Sequence, residues 1–176
     1  PERANWKAVV AEQADALQNA SVGGRSICAL YLHAAHSTVR IFELGGKPRA
    51  AFELPGLGTA AGFGGNIDDR ETFFSFTGFT TPSSVRRLDL ETLKSTSWLA
   101  PKVAFDATQF VTEQVFYASK DGTRVPMFLV YKRDLERNGT NPTLLYGYGG
   151  FNVSLTPSFN PARIAWLELG GVYAVP

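Results

Sequence analysis

The chain has 176 residues, 44% of them hydrophobic and 19% charged, with a formal net charge of +1. That is globular composition with length for one domain or parts of two, and without a basic stripe or an acidic run it argues against nucleic acid and anionic membrane as partners. The single cysteine, Cys28, excludes an internal disulfide and a thiolate zinc cluster, and its place in the apolar run Ile27 to Leu32 predicts a buried small hydrophobe. No apolar run reaches the roughly 18 residues a membrane helix needs. Thirteen Phe, 17 Gly and 10 Pro favour short strands and many turns.

Residue 1 is Pro, followed by Glu-Arg, with neither a start Met nor a signal peptide, so the expectation is a chain cut from within a longer one. From residue 12 to about 100 the pattern is strands and turns. Ser26 to His33 is a mostly apolar strand. Thr38 to Leu44 alternates, with Val39, Ile41 and Leu44 against Arg40 and Glu43, and Gly45-Gly46 turns the chain into Arg49 to Leu54. A second round comes next: Glu71 to Phe79 is aromatic-rich, Ser84 to Leu90 alternates, and Lys94 to Leu99 returns. Ile41-Phe42-Glu43-Leu44 before Lys47 lines up with Arg87-Leu88-Asp89-Leu90 before Lys94. The offset of about 47 residues lies in the range of one four-stranded propeller blade. A β-sandwich would give similar strands at similar spacing. The stripe Phe73, Phe74, Phe76 and Phe79 predicts blade-to-blade packing.

The character changes near Pro101 to Thr112. Gln114 to Ser119 and Arg124 to Tyr131 flank Lys120-Asp121-Gly122-Thr123, and Asp-Gly between two alternating runs predicts a hairpin with both central turn residues at positive φ. Lys132 to Asn141 is a polar loop. Pro142 to Tyr146 reads as a buried parallel strand, running into the uncharged aromatic turn Gly147-Tyr148-Gly149-Gly150-Phe151-Asn152. Asn160-Pro161 predicts a helix start, with Asn as N-cap and Pro at the first helical position. Ile164, Leu167 and Leu169 are its expected apolar side, Gly170-Gly171 its end, and Val172 to Val175 the next strand. Strand, helix and strand, with apolar strands, imply a parallel sheet covered by helices. The fold class expected is therefore mixed: an all-β half, then the opening of an α/β domain.

Other chemistry is poorly supported. His33 and His36 are three apart with no third metal ligand at useful spacing. Asp68-Asp69 near Asn66 lacks the spaced acidic ligands of a calcium loop. Gly58 to Gly65 lacks the Lys-Ser/Thr of a phosphate loop, and Gly147-x-Gly149 is followed by Asn152 where a dinucleotide fingerprint needs glycine. Asn19, Asn138 and Asn152 match the glycosylation pattern, as many unmodified sites do.

Gln114 to Phe128, Pro142 to Pro157 and Gly170 to Val175 closely resemble the prolyl oligopeptidases, serine peptidases that cut short peptides after proline; Trp6 to Val10 and Tyr31 to His33 fit that family's final two blades. In that family a seven-bladed propeller sits over an α/β-hydrolase domain. The resemblance implies partial β-propeller blades over residues 1–105 and the opening strands and first helix of the hydrolase domain over 106–176. It implies that Tyr148 supplies half of the oxyanion hole, where a preorganised donor meets a developing alkoxide. Phe151 matches a residue lining the pocket for the substrate proline, Asn152 orders the turn beside it, and Gly149 and Gly150 let substrate approach. From the residues alone, Tyr146 and Tyr148 read first as strand-end aromatics.

The chain has no Gly-x-Ser-x-Gly elbow, Ser154 and Ser158 lack that context, and its only histidines, His33 and His36, lie in the blade region. The family's Ser, Asp and His come after the matched region, so this chain alone is expected to be inactive. Pro176 stands where the family continues Ala-Asn. No cofactor is implied. The implied partners are short proline-containing peptides and the remainder of the same polypeptide, in a soluble protein of cytoplasm or periplasm. A non-catalytic propeller-type peptide-binding module, or an inactive truncated homologue, is the alternative. Two blades and a few strands on their own would leave unpaired edges, predicting marginal stability or aggregation.

Overall fold

The computed structural model describes residues 2–49 and 52–176. The first sheet is a three-stranded antiparallel meander of β1 (Ala16–Gly23), β2 (Ser26–His33) and β3 (His36–Glu43). The second is a four-stranded antiparallel meander of β4 (Thr59–Gly62), β5 (Glu71–Thr77), β6 (Ser84–Asp89) and β7 (Ser95–Leu99). These are propeller-type blades. The repeat seen in sequence falls on β3 and β6, the third strand of each meander. The strand expected over Arg49 to Leu54 includes Ala50 and Ala51, which lie outside the described residues; its start runs beside β3, with Arg49 N–H donating to Ile41 O at 2.9 Å.

The blades pack face to face because the alternation in each strand sends one set of apolar side chains inward. Leu30, Val39 and Ile41 from the first blade meet Phe74, Phe76 and Leu88 from the second, with Phe52 and Phe63 between them. Phe63 stacks on Phe74 at 4.6 Å, and Phe52 meets both edge-on. Cys28 is buried here, as expected, and burial pushes its thiol up to about 11. Arg49 ties the blades at one end, donating to Ser26 Oγ at 2.8 Å and to Leu90 O at 2.7 Å. Gly24 fits the same junction at φ +53°, since a Cβ there would stand 2.4 Å from Leu90 Cδ1 and 2.5 Å from Asp69 O.

The third sheet is mixed. β8 (Phe110–Ala118) and β9 (Arg124–Lys132) form the expected hairpin; β11 (Val172–Val175) lies antiparallel to β9, and β10 (Thr143–Leu145) parallel to β11 on the edge. The parallel pair is joined through helix α1 (Pro161–Glu168), whose N-cap Asn160 accepts from Ala162 N–H at 2.9 Å with Pro161 at the first turn. Phe128, Val130, Tyr173 and Val175 point to one face and bury against Ile164 and Leu167.

Several local expectations need correcting. Only Gly122 of the hairpin turn has positive φ; Asp121 instead caps the loop, its Oδ1 accepting from Thr123 N–H at 3.0 Å. Those hydrogen bonds, with Ser119 Oγ first among them, hold the Asp121 carboxyl down to about 2. β10 is exposed rather than buried, because it is an edge strand with β11 as its one partner among the described residues. Leu169 is the helix C-cap and 86% exposed; Trp166 packs instead, its Nε1–H donating to Val172 O at 2.9 Å. Only Phe74 and Phe76 of the aromatic stripe lie between the blades. Phe73 faces outward against Trp98, and Phe79, beyond the end of β5, is buried in the third sheet's core.

Candidate functional site

The glycine-rich turn leaves the carboxyl end of β10. Its entry is fixed by backbone, Tyr146 N–H donating to Ala174 O at 2.9 Å. Gly149 is at φ +71°, where glycine is unstrained, but Phe151 and Asn152 also sit at +53° and +54°. Two successive side-chain-bearing residues in the left-handed region cost free energy, and such strain concentrates at binding sites. The turn faces outward: Tyr148 is 51% and Phe151 93% exposed. Tyr148, Gly149, Gly150, Phe151 and Asn152 thus share one open turn. The cavity beside it, about 330 Å³, is lined by Leu144, Tyr146, Arg163, Trp166 and Tyr173, and does not include Tyr148 or Phe151.

The segment between the turn and α1 is held firmly. Pro157 is fully buried, and Phe159 packs near Phe105, their ring centroids 6.0 Å apart. Arg163 of α1 lies over the rings of both Phe79 and Tyr173, 5.2 and 4.3 Å from their centroids, and donates to Ser158 O at 2.6 Å. Phe79, Arg163, Thr59 and Thr77, which hold this segment, carry no motif in the sequence. The one signal for Phe79 was its place at the end of the aromatic stripe.

The first blade also touches the third sheet. Gln114 Nε2 donates to Ala34 O at 2.5 Å, and the His36 ring meets Phe128 edge-on at 6.4 Å. His33, 5.5 Å from His36, pairs with Asp15 at 2.7 Å, and Arg40 also pairs with Asp15 at 2.9 Å. Burial holds His36 below its ordinary 6.5; the Ala34 carbonyl and Asp15 oppose that shift, and His33 adds to it. The unfolded chain therefore takes up this proton more readily. The contribution of His36 is fully present above pH 6.5 and is lost as pH falls through its lowered value. The expected result is a melting temperature that drops as pH falls below about 7, with a shallower drop in His36→Gln. An equal drop in that variant would remove His36 as the cause.

Among the described residues no group of three or more His, Cys, Asp or Glu could hold a metal ion, and no helix is long and apolar enough to cross a membrane.

Two propeller-type blades leading into a mixed sheet with an open glycine turn define a propeller-bearing protein with a second, attached unit. Residues 1–101 match the family model described as prolyl oligopeptidase, N-terminal beta-propeller domain, and the chain belongs to the prolyl oligopeptidase family. It is 42% identical to the prolyl endopeptidase of Elizabethkingia meningoseptica over all of its length and 25% of that protein. A solved structure from a study of two prolyl endopeptidases and their inter-domain dynamics superposes with a TM-score of 0.86 at 46% identity, covering 99% of this chain and 26% of the other. Prolyl oligopeptidase B from Galerina marginata, bound to a 25mer macrocyclization substrate, gives 0.83 at 28% identity, covering 96% and 24%. The chain spans about a quarter of the length of these relatives.

Proposed function

We propose that this chain is the part of a serine-type prolyl endopeptidase that joins propeller to catalytic domain, with 1–105 as blades and 106–176 as the opening of an α/β-hydrolase domain. The observation that carries the reading is the 42% identity to a prolyl endopeptidase over an alignment that spans the whole chain. The third sheet supports the hydrolase part: β10, α1 and β11 make a parallel strand–helix–strand unit beside the antiparallel β8–β9 hairpin. In such sheets ligands gather at the carboxyl ends of the strands, where the turn stands.

Tyr148 is the oxyanion-hole donor in this reading. Phe151, Asn152, Gly149 and Gly150 shape the wall that receives proline, and the substrates are short proline-containing peptides. The nucleophile, acid and base come from the polypeptide beyond this chain, and an acyl-enzyme forms and is hydrolysed there. The test uses the full-length polypeptide. Cleavage after proline in a chromogenic peptide, covalent labelling by a fluorophosphonate, and loss of cleavage when proline becomes alanine are the expected results. Peptide binding without labelling or cleavage would replace the enzyme with a non-catalytic binding module.

A further inference from the structure

The segment behind the glycine turn is gripped by the second blade. Thr59 on β4 and Thr77 on β5 are direct cross-strand partners. Thr59 Oγ1 donates to Pro157 O at 2.7 Å, and Phe159 N–H donates to Thr77 Oγ1 at 3.1 Å. The Thr77 hydroxyl gives its own proton to Thr81 O at 3.1 Å, which leaves its oxygen oriented to accept. Between the two, Ser158 O accepts from Arg163. Three consecutive backbone units, beginning five residues past Asn152, are thus fixed by side chains from β4, β5 and α1. The turn lies in a loop anchored at Tyr146 and again at Pro157, and the middle of that loop carries the left-handed Phe151 and Asn152.

We propose that the Thr59–Thr77 pair is a positioning device for Tyr148: the blade fixes the far end of the loop that carries the turn, and so sets where the tyrosine hydroxyl stands. This rests on Tyr148 being the oxyanion donor. A donor displaced by about 1 Å loses much of its effect on a transition state, and displacements that start far from the chemistry can cost about 100-fold. Removing one threonine hydroxyl frees one backbone anchor while leaving the blade's apolar core untouched.

The experiment compares Thr59→Val and Thr77→Val, nearly isosteric and lacking the hydroxyl, with Thr59→Ser and Thr77→Ser in the full-length polypeptide. Active sites are titrated with a serine-directed probe, so that misfolded protein is not counted. Each valine variant is expected to lower kcat per titrated site on a proline amide about tenfold, with KM within about twofold. The Phe159 amide should exchange faster in Thr77→Val, and both serine variants should keep wild-type kcat. Valine variants with wild-type kcat per site, or serine variants as impaired as valine, overturn the proposal. Tyr148→Phe is run alongside. If it keeps wild-type kcat, the oxyanion reading fails and the positioning role goes with it; if it loses kcat while the valine variants do not, only the role of the threonines fails.

Discussion

On the oxyanion role proposed for Tyr148, Tyr148→Phe in the full-length polypeptide is expected to lower kcat for proline-directed hydrolysis about 100-fold, roughly 3 kcal/mol of barrier, with little change in KM. The cause is charge development. A carbonyl in the bound substrate needs little from the phenol, whereas the tetrahedral oxyanion formed from it needs a donor already in place. Phenylalanine keeps the ring and removes that donor. The substitution should cost little stability, because the side chain is half exposed. A matched fall in kcat and kcat/KM, with an unchanged melt, is the signature of an interaction made only in the transition state. A rise in KM at constant kcat would instead make Tyr148 a ground-state contact and remove it from the oxyanion hole.

Phe79→Ala carries the largest structural effect. Phe79 is 2% exposed, 5.3 Å from the Phe128 ring and 5.9 Å from Tyr173, with the Arg163 guanidinium over it. Truncating a buried phenylalanine costs about 3–5 kcal/mol through lost transfer and the cavity left behind. Here it also takes away a ring under Arg163, which holds Ser158 behind the glycine turn. The expected fall in melting temperature is about 10 °C. Phe73→Ala makes the control: Phe73 lies on β5, just ahead of Phe79, but is 38% exposed against Trp98, so its loss should cost far less. Equal losses in the two variants would show that Phe79 does not join the blade to the third sheet.

The strongly patterned parts of the fold were legible in the sequence. The alternation from Thr38 to Leu44 and from Ser84 to Leu90, the Asp-Gly hairpin and the Asn160-Pro161 helix start each combine a period with a local turn or cap, and each produced an element. β1 and β4 were not legible, for an equally local reason. Ala16 to Gly23 is largely polar or small, and Thr59-Ala60-Ala61-Gly62 sits inside a glycine-rich stretch. Neither has the β-branched alternation that marks a strand; the neighbouring strands supply their order. At the site, the turn was recognisable as a unit, from Tyr146 to Asn152. Its anchorage was not, because Thr59 and Pro157 are 98 positions apart and a threonine pair at a strand end has no signature of its own. Leu169 misled because it continues the helical spacing one step past the last helical residue, where the chain already turns outward.

The order of strands in the third sheet has a kinetic side. β9 lies between β8, made just before it, and β11, whose Tyr173 pairs with Val130 more than forty residues later. During synthesis at about 5–20 residues per second, the hairpin emerges with one flank of β9 unpaired for roughly 2 to 8 s. In that interval its backbone donors and acceptors, and the apolar side chains Phe128 and Val130, have no partner strand. An open flank of this kind recruits strands from other nascent chains. The helix and the strand β11 that pairs the second flank of β9 therefore guard against association during biosynthesis as well as extending the sheet.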